Sequence, residues 1–260
     1  MAELETLLFE VSDKIATITL NRPAAMNSFN GKMLEEMKSC WQRVQADDNI
    51  HVAILRASEG RAFCTGVDVR EGRPSPDNLW SHVDPGEYLS PKMVACWKPV
   101  VTAVHGMCAG GAFYMINESD IVICSEDATF FDPHVTYGMT SSLEPIGMTY
   151  RQPLGDVLRM VLLGNDERIG AQSALRQGIV SEVTTLDNLY VRARELATKI
   201  AAKPTAATQG SVRAIWESLD LPRGIALRTG LKYCQLGNPV GIPQVDRNAV
   251  MAAAKVFEVR

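Results

Sequence analysis

Short apolar runs rich in β-branched residues recur along the first two thirds of this 260-residue chain, with helical patterns among them. KIATITL (14–20), HVAILRA (51–57) and VVTAVHG (100–106) each predict a strand. Residues 30–46 repeat apolar side chains at helical spacing between the first two runs. This alternation predicts an α/β core in which parallel strands are joined by right-handed crossovers.

The pattern becomes mainly helical towards the C-terminus. DIVICSE (120–126) is almost wholly apolar, which indicates a strand that is covered on both faces, and ATFFD (128–132) predicts a short strand after it. The other elements that we predict are helices at 142–151, 154–163, 170–177, 186–202 and 204–218, and a strand at 179–184. Gly178 is expected to end the third of these helices.

Charge and cysteine use argue against several classes of protein. The formal net charge is −4, and a nucleic-acid partner would require a basic patch. No apolar run reaches the roughly 18 residues of a membrane span, and the acidic start MAELETLLFEV is unlike a signal peptide. The 6 cysteines form no CxxC pair and the 4 histidines are far apart in sequence. We therefore expect reduced thiols, no metal site, no membrane partner and a cytoplasmic location.

Main chain is exposed at two places where a strand ends. In AFCTGVDV (62–69), Gly66 permits a turn and the amide of Val67 follows it. In GMCAGGAFYMINESD (106–120), a helix begins on residues 109–112 without a Ser, Thr, Asp or Asn cap. The first N–H groups of a helix are unpaired donors, and two donors that converge on one carbonyl oxygen would form an oxyanion hole. Adjacent small residues also permit close packing of a helix on a strand, and that alternative stays open.

Four stretches, in this order, resemble the enoyl-CoA hydratase/isomerase (crotonase) superfamily. They are ITLNRPAAMNSFN (18–30), AFCTGVDV (62–69), KPVVTAVHGMCAGGAFYMINESDIVICSEDATFFDP (98–133) and LLGNDERIGAQSALRQGIVSEV (162–183). The resemblance implies an α/β fold, with a crotonase-like spiral of ββα units over 1–200 and a C-terminal helical region over 201–260. It implies a homotrimer or a dimer of trimers. It also implies an acyl-CoA thioester as substrate, with no cofactor beyond the coenzyme A that the substrate carries.

The resemblance also carries functional roles to individual residues. The amides of Val67 and Gly111 would hold the thioester oxygen and stabilise an enolate. The other residues expected to contact the CoA part or the substrate are Ala25, Met26, Cys64, Thr65, Gly66 and Gly110. A basic residue often precedes the Ala-Met-Asn run in this family, and here that position is Ala24. The candidates for phosphate contact are therefore Arg22, Arg61 or the Lys255 side chain of a neighbouring subunit.

This chain departs from the hydratase pattern at both catalytic carboxylates. Hydratases that it resembles hold one water between two glutamates, and the matching positions here are Tyr114 and His134. His134 is a candidate general base because the ordinary histidine pKa is near working pH, although it is also placed to bond a neighbouring carbonyl. Glu144 is the acid of first interest, or else a cap of the helix that follows. Tyr114 is expected to line the acyl pocket or to donate a hydrogen bond.

Several other polar residues have simpler interpretations. Asp68 is expected to anchor its loop, and with Asp132 it remains a further acidic candidate. Asp120 is expected to be structural and His105 to be a core histidine. Cys64 is expected to pack, because nothing near it in sequence would lower its thiol pKa. The remaining histidine of interest, His82, lies in a proline-rich stretch over 71–89 that is long enough to be a functional cover.

Three functions remain open from the sequence. The first is an acyl-CoA enzyme of the hydratase/isomerase group, a lyase with an altered acid/base set. The second is a crotonase-type hydrolase or C–C lyase that acts on a bulky acyl-CoA. The third is a member that binds acyl-CoA without catalysis, which the loss of both glutamates makes worth considering. The fold alone does not choose among them.

Overall fold

The computed structural model describes residues 4–71, 80, 84–253 and 257–259. The strands in these residues form two sheets, a six-stranded one in the order β1-β2-β3-β5-β7-β10 and a four-stranded one in the order β4-β6-β8-β9. Their bounds are β1 (Leu7–Ser12), β2 (Ile15–Leu20), β3 (Val52–Ala57), β4 (Ala62–Cys64), β5 (Val100–Val104), β6 (Met107–Ala109), β7 (Ile121–Ser125), β8 (Thr129–Phe131), β9 (Ile169–Gly170) and β10 (Glu182–Thr184). The predicted α/β class is confirmed.

Helices cover the sheets and dominate the C-terminal part. The α-helices of the described residues are α1 (Gly31–Ala46), α2 (Phe113–Asn117), α3 (Leu143–Met148), α4 (Leu154–Leu163), α5 (Ala171–Gln177), α6 (Leu186–Ala201), α7 (Thr205–Ser218), α8 (Arg223–Gly241) and α9 (Arg247–Ala252). Helix α1 begins where its sequence predicts, because the Asn30 side chain accepts a hydrogen bond from the Met33 amide at 3.0 Å. Within the described residues, no helix is both long enough and apolar enough to cross a membrane.

The larger sheet is buried on both faces. Its strands are parallel from β2 to β10, and only β1 runs antiparallel to its neighbour. Side chains alternate along each strand, so Ile15 and Val52 pack with Leu189 of α6, whereas Ile18 packs in the cluster that contains Trp41 of α1. Burial on both faces explains the continuous apolar runs and confirms the prediction for DIVICSE.

Each central strand of the larger sheet leads directly into a short strand of the smaller sheet. β3 precedes β4, β5 precedes β6 and β7 precedes β8, and the three short strands pair in parallel. The turn between β5 and β6 requires glycine, because Gly106 has φ +58° and a Cβ there would lie 2.3 Å from the Arg61 carbonyl oxygen. This repeated ββ unit brings the carboxyl ends of β4 and β6 side by side.

The structure differs from the sequence prediction mainly in short or exposed elements. Strand β1 was not predicted, and its outer face is exposed from residue 8 onward. The short strands β4, β6 and β9 contain only 3, 3 and 2 residues, too few for a visible period. The predicted helix at 142–151 ends at Met148. Of the predicted strand at 179–184, only Glu182–Thr184 pairs as a strand. Gly178 ends α5 with φ +88°, as predicted.

Asp120 ties the larger sheet to the C-terminal helices, as its structural interpretation predicts. Its Oδ2 accepts bonds from Lys92 Nζ at 2.9 Å and from the Val100 amide at 2.7 Å. Its Oδ1 accepts a bond from Trp216 Nε1 of α7 at 2.7 Å. Helices α7 and α8 pack against each other. The division of the chain at residue 200 into a core and a separate helical region stays a prediction.

Asp120→Ala is expected to lower the free energy of unfolding by about 3–5 kcal/mol, because the Lys92 ammonium would lose its carboxylate while staying buried. Chemical denaturation of the purified variant measures this change. Asp187→Ala, at an exposed carboxylate in the first turn of α6, is the matched control and should change stability little. A loss below about 1 kcal/mol in Asp120→Ala would show that Asp120 is not an anchor.

Candidate active site

Two main-chain segments meet where β4 and β6 end. A Cβ at Gly66, which has φ +87°, would lie 3.1 Å from the Gly111 nitrogen and 3.2 Å from the Ala109 carbonyl oxygen. A Cβ at Gly111 would lie 2.6 Å from the ring of Phe29. A side chain at Gly111 would clash with Phe29, and one at Gly66 would press tightly on the Gly111 backbone at a positive φ, so the two backbones are in close contact.

The amides of Val67 and Gly111 lie in this contact region. Phe29 donates its N–H to the Gly66 carbonyl at 2.9 Å and accepts from the Asp68 amide at 2.8 Å, which holds Val67 between two bonded residues. No acceptor for the Val67 N–H is found in the part of the chain that the structure describes. Gly111 lies in a 3-10 turn, Gly110–Ala112, whose first N–H groups receive no side-chain cap, which confirms the uncapped start.

His134 stands beside the second segment. A Cβ at Gly110 would lie 3.6 Å from His134 Cε1. The ring Nδ1 of His134 is 2.7 Å from Asp132 Oδ1, and its Nε2 is 3.9 Å from Glu144 Oε1. The two residues that the sequence singles out for proton transfer, His134 and Glu144, are therefore brought together next to the glycine-rich turn.

Asp132 supports His134 from a fully buried position. Its side chain is 0% exposed, and its Oδ2 accepts a bond from Ser141 Oγ at 2.7 Å. Burial is the largest influence on the Asp132 pKa and acts to raise it, but hydrogen bonds from His134 and Ser141 together hold the pKa below its ordinary value. Asp132 thus has no oxygen open to a substrate, so the structure argues against its prediction as an acidic catalyst.

Glu144 is a buried carboxyl group in the first turn of α3. Burial raises its pKa, the negative charges of Asp132 and Asp84 raise it further, and His134 opposes them. Its carboxyl also receives a hydrogen bond from its own amide, so it contributes to the start of α3 while it faces His134. The two interpretations of Glu144 are compatible.

Tyr114 is half-buried and makes a contact that the sequence did not indicate. Its hydroxyl donates a short hydrogen bond to Asp84 Oδ2, and Asp84 Oδ1 accepts a bond from the Gly86 amide at 3.1 Å. A Cβ at Gly86 would lie 2.7 Å from the Tyr114 ring, so the ring packs directly on that backbone. The sequence contains a signal for the cap only, because Asp84 precedes Pro85 in the pattern of a helix N-cap. That signal does not indicate the hydrogen bond to Tyr114.

The predicted CoA-contact residues lie in two neighbouring segments. Ala25 ends a 3-10 turn, and Met26 follows it with φ +51° and is 40% exposed. Thr65 Oγ1 lies 3.5 Å from the Met26 carbonyl oxygen, which places the segment with Cys64 and Gly66 beside this turn. Contact of these residues with CoA stays a prediction.

Arg22 is not available as a free phosphate ligand. Its guanidinium pairs with Asp68 at 2.9 Å and with Glu71 at 3.0 Å. Asp68 also accepts a bond from the Arg70 amide at 3.2 Å, so its interpretation as a loop anchor is confirmed. Arg61 is exposed at the surface. Two further candidates from the sequence, Lys255 and His82, lie outside the described residues.

The remaining polar candidates belong to the core. Cys64 is fully buried, and burial raises its pKa to about 12, which confirms the packing interpretation. His105 is 2% exposed, its Nδ1 lies 2.9 Å from the hydroxyl of Tyr190, and burial lowers its pKa. Among the described residues, no group of three or more His, Cys, Asp or Glu is arranged to hold a metal ion.

Comparisons with known proteins agree with this architecture. The enoyl-CoA hydratase/isomerase family model matches residues 10–233. An (E)-benzylidenesuccinyl-CoA hydratase from Thauera aromatica is 32% identical over 230 residues, which cover 87% of each chain. A 1,2-epoxyphenylacetyl-CoA isomerase from Escherichia coli is 30% identical and covers 78% of each chain. The crystal structure of an enoyl-CoA hydratase/isomerase from Mycobacterium paratuberculosis matches with a TM-score of 0.84 at 33% identity, over 95% of this chain and 94% of that one. This chain belongs to the enoyl-CoA hydratase/isomerase family.

Proposed function

We propose that this protein adds water to the double bond of an enoyl-CoA thioester, which would make it a lyase. The supporting observation is the distance of 3.9 Å between His134 Nε2 and Glu144 Oε1 beside Gly110. An oxygen atom about 2.8 Å from each of these atoms satisfies both, because that is an ordinary hydrogen-bond length. The His134–Glu144 pair would then hold one water, although the positions that match the two hydratase glutamates are Tyr114 and His134.

The thioester oxygen would sit on the amides of Val67 and Gly111. The close contact between Gly66 and Gly111 supports this assignment, since the Val67 N–H, which has no acceptor among the described residues, follows Gly66 directly and so lies near the uncapped turn that contains the Gly111 N–H. When water attacks the β-carbon, negative charge develops on the thioester oxygen, and preorganised N–H donors stabilise it there. The CoA part would extend past Ala25 and Met26 and along the backbone of residues 64–66, with no further cofactor.

The acyl group is proposed to be bulky, and an aromatic group fits best. Two relatives, by their names, act on acyl groups with a six-membered carbon ring, which is a phenyl ring in benzylidenesuccinyl-CoA and its epoxide in 1,2-epoxyphenylacetyl-CoA. In this chain the ring of Tyr114 would line the acyl pocket, and its hydroxyl is already bonded to Asp84. A flat apolar wall of this kind suits an aromatic acyl group through offset or edge contacts.

A homotrimer or a dimer of trimers is proposed as the working assembly. The support is a set of exposed apolar side chains on α3, α4 and α8, a number unusual for a free surface. They are Leu143, Ile146, Leu154, Leu158, Leu162, Leu227, Leu231, Leu236 and Val240, each at least 45% exposed. Light scattering coupled to size exclusion measures the assembly, and a monomer at micromolar concentration would refute it.

The function is tested by offering crotonyl-CoA and cinnamoyl-CoA to the purified protein. Hydration removes the absorbance of the conjugated thioester, and we expect faster turnover of cinnamoyl-CoA. Release of free CoA thiol instead of a hydroxyacyl-CoA would favour the crotonase-type hydrolase. A rise in Tm with both thioesters without turnover would favour a binding protein without catalysis. If neither thioester is consumed or shifts Tm, the proposed function is wrong.

Glu144→Gln is expected to lower kcat for hydration by about 100-fold with little change in KM, because it keeps the shape of the side chain and removes its proton transfer. The pKa of Glu144 is raised, so activity that needs its protonated form persists below that pKa and is lost as pH rises through it. The alkaline fall in kcat/KM should therefore be absent in the variant. An unchanged pH profile would contradict the assignment.

A further inference from the structure

We propose that Asp132 and Ser141 hold His134 in a single tautomer and orientation, so that Nε2 accepts the proton in the reaction and Glu144 donates one. This division of roles rests on the proposed function, because it assigns the proton transfers of that reaction. Asp132 and Ser141 touch no substrate in this scheme. They are positioning residues, and neither was expected to play that part from the sequence.

The orientation of His134 is fixed at two points by one oxygen. Asp132 Oδ1 accepts from the backbone N–H of His134 at 3.0 Å and lies 2.7 Å from its ring Nδ1. The intervening Pro133, with φ −85°, restricts the backbone between them. Ser141 Oγ donates to the other oxygen at 2.7 Å and so holds the carboxylate plane. The ring therefore has little freedom to turn its nitrogens away from these partners.

The tautomer follows from the charge of Asp132. An ionised carboxylate accepts hydrogen bonds and donates none, so the ring nitrogen that faces it must carry a proton. The pKa of Asp132 is below its ordinary value despite burial, which keeps the group ionised at neutral pH. With Nδ1 protonated in the neutral ring, Nε2 is the nitrogen that carries the lone pair, and this atom faces Glu144 at 3.9 Å.

The surroundings of Glu144 favour its protonated form, in contrast to the unprotonated Nε2 of His134. The charged groups that act on it are His134, Asp132 and Asp84, the last held by the Tyr114 hydroxyl. Burial and the two carboxylates favour the neutral acid, whereas the hydrogen bond from its own amide and the charge of His134 favour the ion, and the pKa of Glu144 is raised on balance. Two neighbouring groups whose environments push them towards base and acid are a general signature of divided acid/base roles. The reverse assignment would require Glu144 to be ionised against these influences.

The proton transfers balance with one water and no other reactant. The water oxygen forms a bond to the β-carbon while His134 Nε2 takes one of its protons. The π electrons of the double bond move to the thioester oxygen as an enolate. On collapse of the enolate, the α-carbon takes the Glu144 proton. The imidazolium then returns its proton to the Glu144 carboxylate, across the 3.9 Å that separates the two atoms, and both groups are restored.

The tautomer is measured directly by nitrogen NMR of the protein labelled with ¹⁵N-histidine. The chain contains 4 histidines, and the spectrum of His134→Gln assigns the signal of His134. We expect a protonated Nδ1 and an unprotonated Nε2 at neutral pH. A ring with the proton on Nε2 would overturn the proposal even in an active hydratase. An inactive protein with the expected tautomer would instead overturn the proposed function.

Asp132→Ala supplies the kinetic test. Asparagine would not serve, because its amide oxygen could still accept from the backbone N–H and from Nδ1 of His134 while its NH2 group donates to Ser141 Oγ. Alanine removes the acceptor that holds the proton on Nδ1. We expect kcat to fall about 10- to 100-fold with little change in KM, together with a change of tautomer in the spectrum. Asp187→Ala, at an exposed acid of α6, is the control and should leave kcat unchanged. Unchanged kcat in a folded Asp132→Ala variant would refute the positioning role.

Discussion

Replacing His134 by alanine is expected to lower kcat for enoyl-CoA hydration by about 100- to 10,000-fold, the range that general acid–base groups contribute. The reason is that Nε2, 3.9 Å from Glu144 Oε1, is the atom we assign to proton removal from water. KM should change little, because the CoA part is expected to bind on other segments. Initial rates with cinnamoyl-CoA at several pH values measure both constants.

Two further observations make the His134 result interpretable. The side chain is 12% exposed, so its removal leaves a small space at the site, and thermal unfolding shows whether the fold survives. Added imidazole should restore part of the lost rate, since it can occupy that space and accept a proton. Full turnover without imidazole would mean that Glu144 or another group is the base, and the mechanism proposed above would have to be abandoned.

Gly66→Ala is expected to lower kcat/KM by about 100- to 1,000-fold, the typical loss when one oxyanion donor is removed. The added Cβ would lie 3.1 Å from the Gly111 nitrogen and 3.2 Å from the Ala109 oxygen, so the two amide-bearing segments would move apart by a few tenths of an ångström and the donors would lose their alignment. The residue also has φ +87°, which L-residues adopt at a cost of about 1–2 kcal/mol. Steady-state kinetics and denaturation together measure both effects.

Gly31→Ala is the matched control for Gly66→Ala. A Cβ at Gly31 meets nothing within 4 Å, and the residue begins α1. This variant should keep full activity, and its free energy of unfolding should be unchanged or slightly higher, because alanine is the better helix former. If Gly66→Ala stayed folded and retained its full kcat/KM, the thioester oxygen would not be held between the segments that contain Val67 and Gly111.

Features encoded by local residue patterns were predictable. The strand over 14–20 and the helix after Asn30 were visible because burial on one or both faces leaves a period in the sequence. The uncapped, glycine-rich start at 110–112 was visible because capping residues are absent from it. These features depend on residues within a few positions of each other, so the residue types in a short stretch are enough to predict them.

Features that depend on contacts between distant segments were not predictable. Asp84 reaches the Tyr114 hydroxyl across 30 positions, and no periodicity in either segment indicates that bond. Ser141 reaches Asp132 through a loop of irregular backbone. The sequence indicates His134 and Glu144 as independent candidates for proton transfer. The turn that leads into α3 brings them to the same site. Their proximity is a property of tertiary packing, which a pattern of residue types does not contain.

The contact between Gly66 and Gly111 affects which groups of this site can be lost in evolution. The N–H groups of Val67 and Gly111 belong to the main chain, so no substitution except proline deletes them, whatever side chain a codon specifies. The groups that surround them, such as Tyr114, His134 and Glu144, are each open to replacement by a single mutation. If these donors hold the substrate as proposed, new chemistry can be acquired one residue at a time around them, since only a proline, or a change such as Gly66→Ala that displaces them, would disable the donors.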